Sequence, residues 1–152
     1  IGYGFSSNGA HISNPTVDGP VRALRMALLD AGIDPKMVDY INAHATSTPA
    51  GDASEAQSIV EVFGDAKTPV SSTKSMTGHE CWMAGASEIV YSMLMMRNSF
   101  MAPNINFENP DEFSAKLNIV KTATEKDINV FLSNSFGFGG TNSSLVVRKW
   151  KP

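Results

Sequence analysis

Apolar positions along the chain fall into two alternating rhythms. Val21, Leu24, Leu28 and Leu29 recur at helical spacing, which predicts a helix between the capping side chains Thr16 and Asp18 and a stop at Gly32, with Pro20 in its first turn. Ala56, Ile59, Val60 and Phe63 mark a second helix, opened by Asp52 and Glu55 as a capping box and ended by Gly64-Asp65. Ile89, Val90, Met93, Leu94 and Met96 cover more than one face of a third, running from about Ala84 to Arg97, so extensive burial is expected. Between them lie short apolar or β-branched runs: Ile1–Phe5, Val38–Ala43, Pro69–Ser71, Ile128–Leu132 and Ser144–Val147, with Asn118–Val120 extended. A polar turn to Asn14 follows the first run, and Met101–Glu112, with its two prolines, reads as irregular.

Strands alternating with helices and ending in a hairpin-like pair imply an α/β fold with a mixed sheet. In such folds chemistry collects in loops that leave strand ends. The chain has three histidines, and two of them, His44 and His79, sit in such loops. Composition narrows the class. At 152 residues and 16.3 kDa the chain is about one domain long. A net charge of −3 without any Lys/Arg-rich run gives no basis for nucleic-acid binding. No apolar run reaches the length of a membrane span, and Ile1–Phe5 has no signal-peptide pattern. The chain begins without Met in what reads as mid-strand, the expectation for a fragment or processed product. One cysteine, Cys81, cannot form an internal disulfide and suits a reducing cytoplasm. The eight methionines fall mostly on helical patterns and read as core.

Neutral imidazoles suit acyl-transfer chemistry, since they can donate to a carbonyl oxygen or exchange a proton. His44 lies among Thr46, Ser47 and Thr48, and His79 follows Gly78 in a loop with Lys74. Taken alone, each also reads as a turn histidine. Asp52 and Glu55 favour a helix dipole, and a Lys74–Glu55 pair would hold the two histidine loops in register. Phe136-Gly137-Phe138-Gly139-Gly140 permits positive φ and close backbone approach, as a tight hairpin or as an oxyanion donor. Cys81 reads as a small apolar residue at a helix start. The scattered histidines and lone cysteine offer no metal-ligand spacing. No cysteine or serine occupies a nucleophile-type turn, so the chain reads as part of a site.

Three segments, Asn42–Asp52, Thr73–His79 and Ser133–Asn142, in this order and spacing, resemble the β-ketoacyl-acyl-carrier-protein synthases, most closely the bacterial type I elongating enzymes. The resemblance runs from Ile1 to about Lys149. It implies a thiolase-like fold, of which residues 1–152 would form the C-terminal half with a mixed five-stranded sheet flanked by helices. The nucleophilic cysteine would lie in the other half, so this polypeptide alone would be inactive and would expose a large apolar face. The implied activity is that of a transferase: decarboxylative condensation of malonyl-acyl carrier protein with an enzyme-bound acyl thioester in fatty-acid elongation, in a cytoplasmic homodimer. By the same resemblance His44 and His79 hydrogen-bond the malonyl thioester oxygen, and His44 positions a water. Lys74, paired with Glu55, tunes the field. Thr46, Thr48 and Phe136 contact substrate on its phosphopantetheine arm, and Phe138 supplies a gate and a backbone N–H to the oxyanion hole. Asn42, Glu88, Ser133 and Asn134 match positions of a structural monovalent cation; no other cofactor and no catalytic metal is implied.

Two departures stand out. Ala45 follows the first histidine where the family has glycine, and Glu80-Cys81-Trp82-Met83 replaces a run that opens with serine and is rich in glycine and alanine. Degradative thiolases would need a second cysteine near the C-terminus, where Phe136–Gly140 stands instead. Initiating synthases would have asparagine at His79. A polyketide- or polyene-type ketosynthase, and a non-catalytic chain-length partner subunit, share many of these motifs, although a non-catalytic partner need not keep both histidines and the lysine.

Overall fold

A computed structural model describes residues 1–9 and 15–150, apart from the side chain of Asp65. The polar turn expected up to Asn14 falls partly outside the described residues, as does the third histidine, His11. Strand β1 (Gly2–Ser6) leads to helix α1 (Asp18–Ala31), β2 (Tyr40–Asn42), α2 (Pro49–Phe63) and β3 (Pro69–Ser71). A one-turn helix α3 (Lys74–Thr77) and the long helix α4 (Ala84–Asn98) follow, then the short strands β4 (Phe100–Met101), β5 (Asn118–Ile119) and β6 (Thr124–Glu125). The hairpin β7 (Val130–Gly137) and β8 (Thr141–Arg148) completes the chain.

The main sheet has the order β1-β8-β7-β2-β3-β5, and β4 pairs with β6 in a separate ribbon. Among the described residues it holds six strands where the resemblance implied five. The extra edge comes from Asn118–Ile119, which pairs parallel with Pro69–Val70, and the ladder is prolonged by the Val120 N–H donating to Val70 O. β8 alone runs against the rest: β1 and β7 are antiparallel to it, and β7, β2, β3 and β5 are mutually parallel. Consequently β7, β2 and β3 deliver their C-terminal ends side by side: the first motif begins at the last residue of β2, the second just past β3, and the third runs from the middle of β7 through its end into β8.

Alternation along the strands splits the core in two. Ile41, Val70, Val130, Leu132 and Val146 meet Leu24, Ala27 and Leu28 of α1 and Ile59 and Phe63 of α2. On the opposite face Tyr40 and Phe131 meet Met95 and Met96 of α4. α1 lies unusually close to β1, because Gly4 presents bare backbone: a Cβ there would stand 1.9 Å from Ala23 O.

Several local expectations shift. Gly32 ends α1 as predicted, in the left-handed region, with its N–H on Leu29 O and the Ile33 N–H on Leu28 O. The N-cap of α1 is Val17, without a side-chain cap, and Asp18 lies in the first turn. α2 starts at Pro49 rather than after Asp52, since proline suits a first turn and Thr48 is the extended cap. Asp52 and Glu55 form no capping box: both carboxylates turn back onto the preceding loop. The stretch Lys74–Thr77 is helical instead of loop. α4 is only half buried, with Val90, Met93 and Leu94 exposed. The row facing the sheet is Ala84, Glu88, Ser92 and Met95; of the apolar positions expected as core, Met96 is buried and Ile89 packs against the core, while Val90, Met93 and Leu94 lie on the outer side.

Candidate active site

β2 stands between β7 and β3, with Asn42 opposite Ser133 on one side and Ser71 on the other. All three side chains are buried and polar. Asn42 therefore acts as a hub: its Nδ2 donates to Ser92 Oγ (3.1 Å) and Thr73 Oγ1 (3.3 Å), and its Oδ1 accepts from the Thr73 N–H (3.3 Å). Such pairing offsets the cost of burying an amide. The loops that follow β2 and β3 are then stitched together, with Ser72 Oγ 3.4 Å from the carbonyls of both His44 and Ala45. The Ser72 N–H donates to Asn104 Oδ1 (2.8 Å).

Past the end of β2 the backbone of the His44 loop folds onto Glu55. The N–H of His44 donates to Oε1 (2.9 Å), that of Ala45 to Oε2 (2.7 Å), and Asn134 Nδ2 from β7 also donates to Oε1 (3.0 Å). Burial pushes the Glu55 carboxyl up, against the pull of these three N–H donors. The arrangement also holds Ala45 at φ +26° and Ser47 at φ +66°. Both are angles that glycine takes more easily than a residue with a side chain, so Ala45 sits in backbone that suits the glycine the resemblance implies there. Asp52 Oδ1 accepts from the Ser47 N–H (3.1 Å), closing the same loop.

The two histidines meet. Their rings are 5.5 Å apart between centroids and nearly perpendicular at 87°. The Phe136 ring also approaches His44, tilted by 50° with its centroid 6.2 Å away. Burial, the Lys74 charge and the neighbouring His79 lower the His44 pKa to about 3, so this imidazole is neutral at physiological pH. Its Nδ1 is buried without a hydrogen-bond partner. His79 Nδ1 accepts the Cys81 N–H (2.9 Å). A backbone N–H can only donate, so when the His79 ring is neutral its proton resides on Nε2. Cys81 itself is exposed rather than packed at a helix start, because φ +47° in the turn before α4 carries its side chain outward.

Lys74, buried at the start of α3, forms its ion pair with Glu88 of α4 and not with Glu55. The reason is visible in the donors: Glu55 is already filled by two backbone N–H groups and an amide, whereas Glu88 comes from the buried row of α4. Burial raises the Glu88 carboxyl, and Lys74 opposes that rise. Glu88 Oε2 and Ser133 Oγ are buried oxygens without hydrogen-bond partners. The Oδ1 atoms of Asn42 and Asn134 already accept from Thr73 and Ser144. Among the described residues no cluster of His, Cys, Asp and Glu has the makings of a metal site.

At the mouth, Thr46 Oγ1 and Thr48 Oγ1 lie 3.3 Å apart. Phe138 is 81% exposed at the tip of the β7–β8 hairpin, where Gly139 (φ +74°) and Gly140 (φ +71°) make the turn. Thus the structure gathers His44, His79 and Phe136, joins Lys74 to Glu88, and separates Glu55 into a support for the His44 loop. Sequence reasoning missed Asn104, Ser92 and the Cys81 N–H. The first two bear ordinary polar side chains with no motif around them, and a backbone donor has no sequence signal.

Residues 1–108 match the family described as beta-ketoacyl synthase, C-terminal domain. Over 151 residues the chain is 49% identical to 3-oxoacyl-(acyl-carrier-protein) synthase 1 of Escherichia coli strain K12, covering 99% of this chain and 36% of that protein. The solved ishigamide ketosynthase/chain length factor superposes with a TM-score of 0.94 at 36% identity, covering 99% of this chain and 38% of that one. AntDE:AntF, a type II PKS acyl-carrier protein in complex with its ketosynthase, gives 0.91 at 35% identity, covering 99% and 38%. The chain therefore spans little more than a third of the length of these proteins.

Proposed function

The chain belongs to the β-ketoacyl synthase family, as its C-terminal domain, and on that premise we propose that the complete protein extends acyl chains by decarboxylative condensation. The observation that carries this reading is the pair of edge-on imidazoles in the segments that leave the adjacent strands β2 and β3, His44 held neutral and His79, when neutral, with its proton on Nε2. The substrate is malonyl on acyl carrier protein. The Cα–carboxylate bond breaks, CO2 leaves, and its electron pair enters the thioester as an enolate. His79 Nε2–H and His44 donate to the oxygen on which that charge develops, a stabilisation strongest in a site shielded from water. The α-carbon then attacks the carbonyl of the enzyme-bound acyl thioester. A C–C bond forms, the C–S bond breaks, and the thiolate returns to a cysteine in the domain outside this chain. The Phe138 N–H joins the oxyanion hole for that second step, and its side chain gates entry. Thr46, Thr48 and Phe136 receive the phosphopantetheine arm, and the Lys74 ammonium adds positive field.

Identity favours fatty-acid elongation over polyketide synthesis, since the 49% match is to the E. coli 3-oxoacyl-(acyl-carrier-protein) synthase 1 while the ketosynthases cited stand at 35–36%. Retention of His44, His79 and Lys74 favours an active transferase over a non-catalytic chain-length partner. An acyl-carrier protein is the partner of one similar ketosynthase, which supports the same class of partner here. No helix among the described residues is long and apolar enough to cross a membrane; the cytoplasmic homodimer is carried over from the family resemblance. We assign the exposed Val90, Met93 and Leu94 of α4, with Tyr3 and Phe5 of β1, to contact with the nucleophile-bearing domain, without which this chain does not condense. The orphan oxygens of Glu88 and Ser133 suit a hard monovalent cation held together with Asn42 and Asn134, which would offset buried negative charge. The direct test of function is His79→Asn in the complete protein. Malonyl decarboxylation should fall by about a hundredfold while self-acylation changes little; equal loss of both half-reactions would refute the assignment.

A further inference from the structure

His79 occupies a turn with a demanding backbone. Gly78 has φ +72°, and Cys81, which bears a side chain, has φ +47°, a region such residues seldom enter. That conformation brings the Cys81 N–H onto His79 Nδ1. Between them stands Glu80, whose side chain reaches α4: Tyr91 Oη donates to Glu80 Oε1 at 2.8 Å. Its backbone carbonyl accepts the Met83 N–H (3.1 Å), so Glu80 is tied at both ends. Ser87 and Tyr91 are four residues apart on α4, hence on one face. Their hydroxyls hold the Glu80 carboxyl below the ordinary carboxylate range, leaving it an acceptor at neutral pH. A negative charge just before the N-terminus of α4 is also favoured by the helix dipole. A serine in place of Glu80 would be too short to make this reach.

We propose that Glu80 is a positioning residue: anchored on Tyr91, it fixes the His79–Cys81 turn so that the Cys81 N–H occupies Nδ1 of His79 and the proton stays on Nε2. Its effect on rate rests on the role given to His79 above; its effect on the imidazole does not. The test uses the complete protein with histidine-selective 15N labelling and the variants Glu80→Ala, Tyr91→Phe and Glu80→Gln. In the native protein the neutral His79 shows one acceptor-type Nδ1 and one N–H-type Nε2. Glu80→Ala and Tyr91→Phe should mix the two tautomers and lower malonyl decarboxylation by about tenfold, a part of what a positioned proton donor contributes, with self-acylation within about twofold. Glu80→Gln keeps an oxygen for Tyr91 and should restore both the single tautomer and the rate. A single Nε2–H tautomer in Glu80→Ala, or a Gln variant as impaired as the Ala variant, would overturn the proposal. If the native protein decarboxylates no malonyl thioester, the functional reading fails, and the nitrogen signals alone decide the role of Glu80.

Discussion

His44 shows how one residue links stability to chemistry. In the unfolded chain its imidazole titrates near 6.5, whereas in the fold burial lowers that value to about 3. Below pH 6.5 the unfolded state therefore binds a proton that the folded state refuses, and stability declines as pH falls towards 3 by about 1.4 kcal/mol per pH unit. Above pH 6.5 both states are neutral and the contribution vanishes. Glu55 and Glu88, raised by burial, act in the opposite sense, so the comparison must isolate the imidazole. Denaturation of the native protein and of His44→Asn at pH 7 and pH 5 provides it. The native protein should lose more stability than the variant over this interval; parallel losses would show that His44 is not buried neutral. The Lys74–Glu88 pair makes a second prediction at this scale. Lys74→Met should destabilise by about 3–5 kcal/mol, because it leaves a buried carboxylate unpaired, and adding Glu88→Leu should recover part of that loss. Thermal melts of the single and double variants read this out, and a double variant no more stable than the single would contradict it. Residue identities at the site were legible because His44, Lys74 and His79 lie in distinctive loops. The partner of Lys74 was not, since two buried glutamates were available and only the donors gathered on Glu55 decide between them.

Elements were legible wherever period and punctuation agreed. Gly32 closes α1 and Gly64 closes α2 as expected from the sequence. The orientation of α4 was misjudged for a physical reason: its inner row includes Glu88 and Ser92, polar groups buried to serve Asn42 and Lys74, while Val90, Met93 and Leu94 face outward. Hydrophobic pattern alone assumes that the core is apolar, and beside a site that assumption fails. The extended stretch at Asn118–Val120 was legible, but its place at the sheet edge beside β3 was not, because only two residues make that pairing. At this scale the close packing of α1 on β1 gives a sharp expectation. Gly4→Ala would place a Cβ 1.9 Å from a backbone oxygen, so the strand and helix must separate, at a cost of about 3 kcal/mol. A lowered melting temperature by circular dichroism checks this, and an unchanged one would mean that α1 is not held against β1.

In the whole molecule the parallel run β7-β2-β3 converts three separate sequence motifs into one locus. His44 leaves β2, Lys74 and His79 follow β3, and Phe136 and Phe138 lie at the end of β7. No strand order could be read from the sequence alone, yet it is this order that makes the imidazoles neighbours. Because both are assigned to one developing oxyanion, they should act as a unit rather than as independent contributors. The decisive measurement is CO2 release from malonyl-acyl carrier protein by the complete protein and by His44→Asn, His79→Asn and the double variant. The account predicts that the double variant is slower than the worse single by no more than about threefold. Losses that multiply in the double variant would mean that the two histidines serve different steps, and would contradict the shared enolate site.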